Sequence, residues 1–209
     1  MYMATIFISH SRKDTELVKN IKTLLENIGH KPIIEEFISE SEKSPVPFEE
    51  IRKNVEACDF VLLFLTDNVV STEYTKNWVI FEAATASAHD KRLYVFEREG
   101  EAIPYPIPYL TDYVLFSPEN INDLLKVQQI IKETTNGGKD VATALAGAAF
   151  GSFFGPIGIA IGGIGGYLLG PKPKSGKKVT CTNCKISFNY YSDNILNFKC
   201  PTCRKPINL

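Results

Sequence analysis

Ile6-Phe7-Ile8-Ser9-His10-Ser11-Arg12-Lys13-Asp14 decides how most of this chain is read. Apolar residues run into an unbroken polar stretch, after which Leu17, Ile21, Leu24, Leu25 and Ile28 recur at helical spacing as far as Gly29. A short buried strand, a polar turn and an amphipathic helix in that order form the opening unit of an α/β sheet.

The same alternation continues to about residue 135. Thr5 to Ser9 predicts the first strand, and Pro32 to Ile34 a second. Residues 37–47 form a loop rich in Ser, Glu and Pro that ends where Phe48-Glu49-Glu50-Ile51 starts a helix. Phe60 to Leu65 is continuously apolar, the pattern of a central strand covered on both faces. A helix containing Trp78 and Glu82 follows, then a strand from Leu93 to Phe96. Residues 97–110 hold three prolines and no periodicity. Tyr113 to Phe116 reads as an edge strand, and Pro118 to Lys132 as a last helix. In open sheets of this kind ligands settle beyond the carboxyl ends of the strands, where strand order reverses. Ser9, His10, Ser11 and Arg12 follow the first strand at that place. Small hydroxyls there admit a ligand to the backbone, and Arg12 offers paired donors to a pyrophosphate. The plainer alternative is that Ser11 or Asp14 caps the next helix.

Trp78-Val79-Ile80-Phe81-Glu82 puts one carboxylate a helical turn after a large aromatic, on the same face. The helix continues through Ala83-Ala84-Thr85-Ala86-Ser87-Ala88, small residues that let it lie close to a sheet. Taken in this order, the strand Ile6 to Ser9 with its turn, the acidic loop and Lys76 to Glu82 resemble the Toll/interleukin-1 receptor (TIR) domain, in particular its branch that cleaves nicotinamide dinucleotides. The resemblance covers residues 1–135 and implies a flavodoxin-like open parallel sheet. It also implies Glu82 as the catalytic carboxylate with Trp78 packed beneath it. Ser9, His10, Ser11 and Arg12 would line NAD+, with Glu35 and Glu40 closing over it from the loop. His10 stands where many relatives carry Tyr. Cleavage of the ribose–nicotinamide bond passes through an oxocarbenium-like state and expels a neutral base, so one carboxylate that stabilises charge and holds ribose hydroxyls suffices. No G-x-G-x-x-G follows the first strand, which argues against hydride transfer.

The last third is different in composition. Residues 1–135 carry 14 Lys/Arg against 22 Asp/Glu, whereas residues 136–209 carry 9 against 2. An acidic body and a basic tail suggest parts with different partners. Residues 141–170 hold no charge and nine of the 14 glycines, with Gly147, Gly151 and Gly155 and then Gly158, Gly162, Gly166 and Gly170 spaced by four. Such spacing lets helix backbones touch, in a membrane or in self-assembly, although a flexible apolar linker is the alternative. One straight helix of that length would reach about 45 Å, more than the roughly 30 Å hydrocarbon core, so a glycine-laddered hairpin turning at Gly155-Pro156 is expected. The basic run from Pro171 to Lys178 agrees with an inner-leaflet side.

Cys181-Thr182-Asn183-Cys184 and Cys200-Pro201-Thr202-Cys203 have the spacing of a zinc ribbon, with four thiolates completing a closed structural Zn2+ site. Met1-Tyr2-Met3-Ala4 leads straight into a strand with no secretory signal, so these pairs are expected in a reducing compartment. Phe188, Tyr190, Tyr191 and Phe198 beside Lys185, Lys199, Arg204 and Lys205 allow a nucleic-acid contact, but a minimal core with a solvated basic rim is preferred. Cys58, at a helix end, is read as a small buried hydrophobe.

The sequence therefore predicts three parts: a TIR-like domain (1–135), a glycine-laddered hairpin (141–170) and a zinc-ribbon-like tail (179–209). Three functions stay open. The first is an NAD+ glycohydrolase activated by self-association through the TIR domain and the hairpin, in signalling or defence. The second is a non-enzymatic TIR adaptor. The third is a membrane-active effector with a nucleotide-sensing TIR-like domain. NAD+, further copies of the chain and membrane lipid are the expected partners, and nucleic acid is not. The expected location is cytoplasmic, with association to the inner face of a membrane as the further option.

Overall fold

The computed structural model describes residues 3–34, 48–71, 73–98, 107, 109–117, 120–136, 176–191 and 197–208. Glu35, Glu40 and the glycine-rich segment 141–170 lie outside them. Five parallel strands carry the α/β body: β1 (Thr5–Ser9), β2 (Lys31–Ile34), β3 (Phe60–Leu65), β4 (Arg92–Glu97) and β5 (Asp112–Leu115), in the order β2-β1-β3-β4-β5. Between and after them come α1 (Thr15–Asn27), α2 (Phe48–Ala57), the single turn α3 (Asp67–Val70), α4 (Glu73–Ala88) and α5 (Ile121–Asn136). The fold is thus mixed α/β with a mostly parallel central sheet, as expected. All six residues of β3 are buried, because helices cover both faces of the strand.

Strand alternation sorts the side chains into two cores. Ile6 and Ile8 pack with Ile21 and Leu25 of α1 and Val127 and Ile131 of α5. Phe7 faces the other way, into the cluster that holds Ile51 and Val55 of α2 and Val79 and Ala83 of α4. Ser9, two residues beyond Phe7, therefore points to the α4 side. From β1 the chain moves to β2 on one side and then returns through α2 to β3 on the other. The carboxyl ends of β1 and β3 flank the place where strand order reverses.

The far side of the sheet departs from the sequence expectation. β5 is not an edge strand. β7 (Ser187–Tyr191) pairs with it in parallel, and β6 (Lys177–Thr180) pairs antiparallel with β7, giving seven strands in one sheet. β8 (Asn197–Lys199) and β9 (Pro206–Asn208) form a second, two-stranded antiparallel sheet. The physical reason is the ring of Tyr113. It lies 6.0 Å from Phe188, 6.0 Å from Tyr190 and 5.8 Å from Phe198, while Tyr190 and Phe198 stack at 4.1 Å. All four rings are buried. Phe188, Tyr190 and Phe198 thus form a core shared with the α/β body, while Tyr191 is half-buried on the other face.

Asp112 fastens this junction. Its side chain is 0% exposed. One oxygen accepts from Arg92 Nε at 2.7 Å and from Thr111 Oγ1 at 2.8 Å. The other accepts from Arg92 Nη2 at 2.8 Å, Asn189 Nδ2 at 3.0 Å and the Tyr191 hydroxyl at 3.2 Å. Asp112→Ala should cost about 2–4 kcal/mol, somewhat less than breaking a fully buried pair because the Arg92 side chain is 37% exposed. Urea denaturation measures it, and an unchanged midpoint would deny Asp112 this role.

Candidate functional site

Trp78, Val79, Glu82, Ala83, Thr85 and Ala86 form the buried stripe of α4, whereas Asn77, Ile80 and Ala84 are exposed. Among the described residues Glu82 is the one carboxylate on this largely apolar face, and it is 4% exposed. An isolated charge in that position is costly, so it needs hydrogen-bond partners. Ser9 Oγ donates a short hydrogen bond to Glu82 Oε2. The bond joins the carboxyl end of β1 to the helix that follows the central strand. Alternation along β1 and helical periodicity along α4 bring the two groups together.

The turn after β1 is built around Ser11 and Asp14. Ser11 is buried, its carbonyl accepts from Asp14 N–H at 2.9 Å, and its hydroxyl accepts from Lys13 N–H at 3.4 Å. Asp14 stands at the N-cap position of α1, yet its carboxylate makes no capping bond. It accepts instead from Thr66 Oγ1 and Asn68 Nδ2, each at 2.6 Å, and so ties the β1 turn to the carboxyl end of β3. Thr66 in turn accepts from Val69 N–H as the N-cap of α3. The capping alternative for Asp14 is thereby replaced by a strand-to-strand tie. Thr66 and Asn68 were not singled out in the sequence. Their place just beyond the central strand, at the reversal of strand order, is the signal that marks them.

The remaining candidates are spread around this pair. His10 is half-buried, with Nδ1 3.1 Å from the carbonyl of Ile8. Arg12 is exposed. Trp78 packs edge-on to Phe81 at 5.8 Å and beneath Phe48 at 4.5 Å, and Phe48 itself is 57% exposed. Cys58 is buried, and desolvation pushes its thiol up to about 11, which makes it a poor nucleophile.

A second cluster lies at the C-terminus. The Sγ atoms of Cys181, Cys184, Cys200 and Cys203 are all within 4.8 Å of one another, with Cys181 to Cys203 at 3.6 Å and Cys184 to Cys200 at 3.7 Å. A tetrahedral ion with metal–sulfur bonds of about 2.3 Å spaces its sulfurs by about 3.8 Å. The four residues therefore fit a closed tetrathiolate metal site.

A 2-1-3-4-5 parallel sheet covered by helices on both faces defines the class of a flavodoxin-like domain, and Ser9 and Glu82 lie beside its reversal of strand order. The sequence model of the TIR domain matches residues 6–125, more than half of the chain, and the chain belongs to that family. At the family level it is a TIR-type signalling or NAD-cleaving module. No curated protein matches it. A solved structure that matches is FerB, a flavoenzyme NAD(P)H:(acceptor) oxidoreductase from Paracoccus denitrificans, at 15% identity and a TM-score of 0.31. The match covers 49% of this chain and 64% of that one, and at this score it carries no argument about activity.

The chain has a single tryptophan, so its fluorescence reports on this site directly. Phe48→Ala should shift Trp78 emission to the red and lower stability by about 0.5–1.5 kcal/mol. An unchanged spectrum would mean that Phe48 does not cover the indole.

Proposed function

We propose that the chain is an NAD+ glycohydrolase of the TIR type, releasing nicotinamide and ADP-ribose or its cyclised form. The observation that carries this reading is the buried Glu82 carboxylate, fixed by Ser9 at the carboxyl end of β1. In the reaction the bond from ribose C1′ to the pyridinium nitrogen breaks and its electron pair leaves with neutral nicotinamide. Water, or a ring nitrogen of the adenine in the cyclised product, then bonds to C1′, and in hydrolysis the water's proton passes to solvent. Positive charge develops on the ribose, and a carboxylate shielded from water acts on it more strongly than an exposed one would. Ser9 holds one Glu82 oxygen and so sets the direction in which the carboxylate meets the ribose hydroxyls.

Around this centre Ser11 and Arg12 are assigned to the dinucleotide, His10 and Trp78 to the walls, and Glu35 and Glu40 to the loop above it. Residues 1–135 supply the chemistry, and segment 141–170 gathers copies as a glycine-laddered hairpin, with lipid as a further contact. The four cysteines of the 179–209 segment hold one structural zinc. Among the described residues no helix is long and apolar enough to cross a membrane.

Purified, concentrated protein incubated with NAD+ should release nicotinamide. Glu82→Gln keeps the side chain's size and should reduce turnover at least about 100-fold with an unchanged circular dichroism spectrum. Ser9→Ala should reduce it about tenfold by freeing the carboxylate. Normal turnover by Glu82→Gln would remove that residue from the chemistry. No turnover by wild type, even when clustered, would leave the adaptor function in its place.

A further inference from the structure

Each C-x-x-C turn closes a hairpin, and the two turns share one backbone frame. Cys181–Cys184 joins β6 to β7, and Cys200–Cys203 joins β8 to β9. In the first, Lys185 N–H donates to Cys181 O at 2.9 Å and Cys181 N–H to Ile186 O at 2.9 Å. In the second, Arg204 N–H donates to Cys200 O at 2.8 Å and Cys200 N–H to Lys205 O at 2.8 Å. The residue that follows each pair is left-handed, with φ of 64° at Lys185 and 59° at Arg204. Two non-glycine residues in that conformation at equivalent positions are costly without a common purpose. Here the frame turns both thiols of each pair toward one centre.

Both hairpins are anchored to the α/β body, at different places. The first lies along β5 through Asp112–Asn189, Tyr113–Tyr190 and Val114–Tyr191. The second meets the carboxyl end of β4, where Arg204 Nη1 donates to both oxygens of buried Glu97 at 2.9 and 3.1 Å. Glu97 also accepts from the Tyr113 hydroxyl at 2.7 Å, and Ile107 N–H donates to Pro201 O at 3.1 Å. Strands of three to five residues do not hold such a position by pairing alone.

Building on the zinc reading above, we propose that the ion is a clamp belonging to the TIR domain itself: by joining the two hairpins it holds β7 on β5, and its loss opens the sheet at that edge. The metal-free chain then loses the cover of Tyr113 and two of the hydrogen-bond donors to Asp112. A fragment ending at residue 135 is an incomplete domain, because β5 would have no outer neighbour.

The test uses the full-length chain. Metal analysis should find one zinc per chain, and cobalt exchanged into the site should give the intense visible bands of a tetrahedral tetrathiolate. Chelation under reducing conditions should speed amide exchange at least about tenfold in 112–115 and 187–191, leave 5–9 protected, and be reversed by added zinc. Arg204→Ala keeps all four thiolates, so it should retain the metal while 197–208 exchanges faster. No bound metal, or a coloured iron centre in place of zinc, would overturn the zinc site itself. Zinc that binds fully but whose removal leaves exchange in 112–115 unchanged would overturn the clamp alone.

Discussion

The carboxylate of Asp112 is where the parallel body and the C-terminal strands become one sheet. Arg92 reaches it from β4, Asn189 and Tyr191 reach it from β7, and none of these contacts is local in sequence. A buried carboxylate with this many donors is satisfied without water, and any strand that withdraws leaves part of it unpaired. Keeping this group satisfied requires β7 to stay on β5, beside the aromatic packing around Tyr113. Glu97 repeats the arrangement at the other end of β4, with Tyr113 and Arg204 as its donors.

At the opposite side of the sheet the same logic positions the Ser9–Glu82 pair. Ser9 and Glu82 form a small polar contact between a strand end and an apolar helix face. Asp14 ties the turn beyond Ser9 to Thr66 and Asn68, and so joins the carboxyl ends of β1 and β3. A strand and a helix carry the pair, and elements of that kind hold side chains more precisely than loops do. Phe48 of α2, packed on both Trp78 and Phe81, holds the same helix from its neighbour.

Local pattern made the body legible in the sequence. Phe60 to Leu65 could only be a doubly covered strand, and the stripe through Leu17, Ile21 and Leu25 only an amphipathic helix. The cysteine spacing marked a metal-competent cluster, because four thiols in two close pairs have few other uses in a short segment. Glu82 stood out through its place after Trp78 and through the resemblance, while its bond to Ser9 needed the fold. What escaped was non-local. Asp112 pairs with Asn189 across 77 residues, and nothing in Asp112-Tyr113-Val114-Leu115 shows that its outer neighbour lies so far away. The alternation of Phe188 and Tyr190 with Asn189 and Tyr191 was a strand signal with one apolar and one polar face, but it did not name the partner. Asp14 shows a further limit: the residue type that caps helices also accepts from distant donors, and only geometry chooses between them.

Because β7 returns to the sheet that α5 covers, residues 137–176 are bounded at both ends by one folded body. They are an insertion and not a free arm. Whatever this stretch enters, it must leave again on the side where it began, so any passage through a bilayer occurs an even number of times. Its two ends are held in one sheet and so cannot rotate independently of each other.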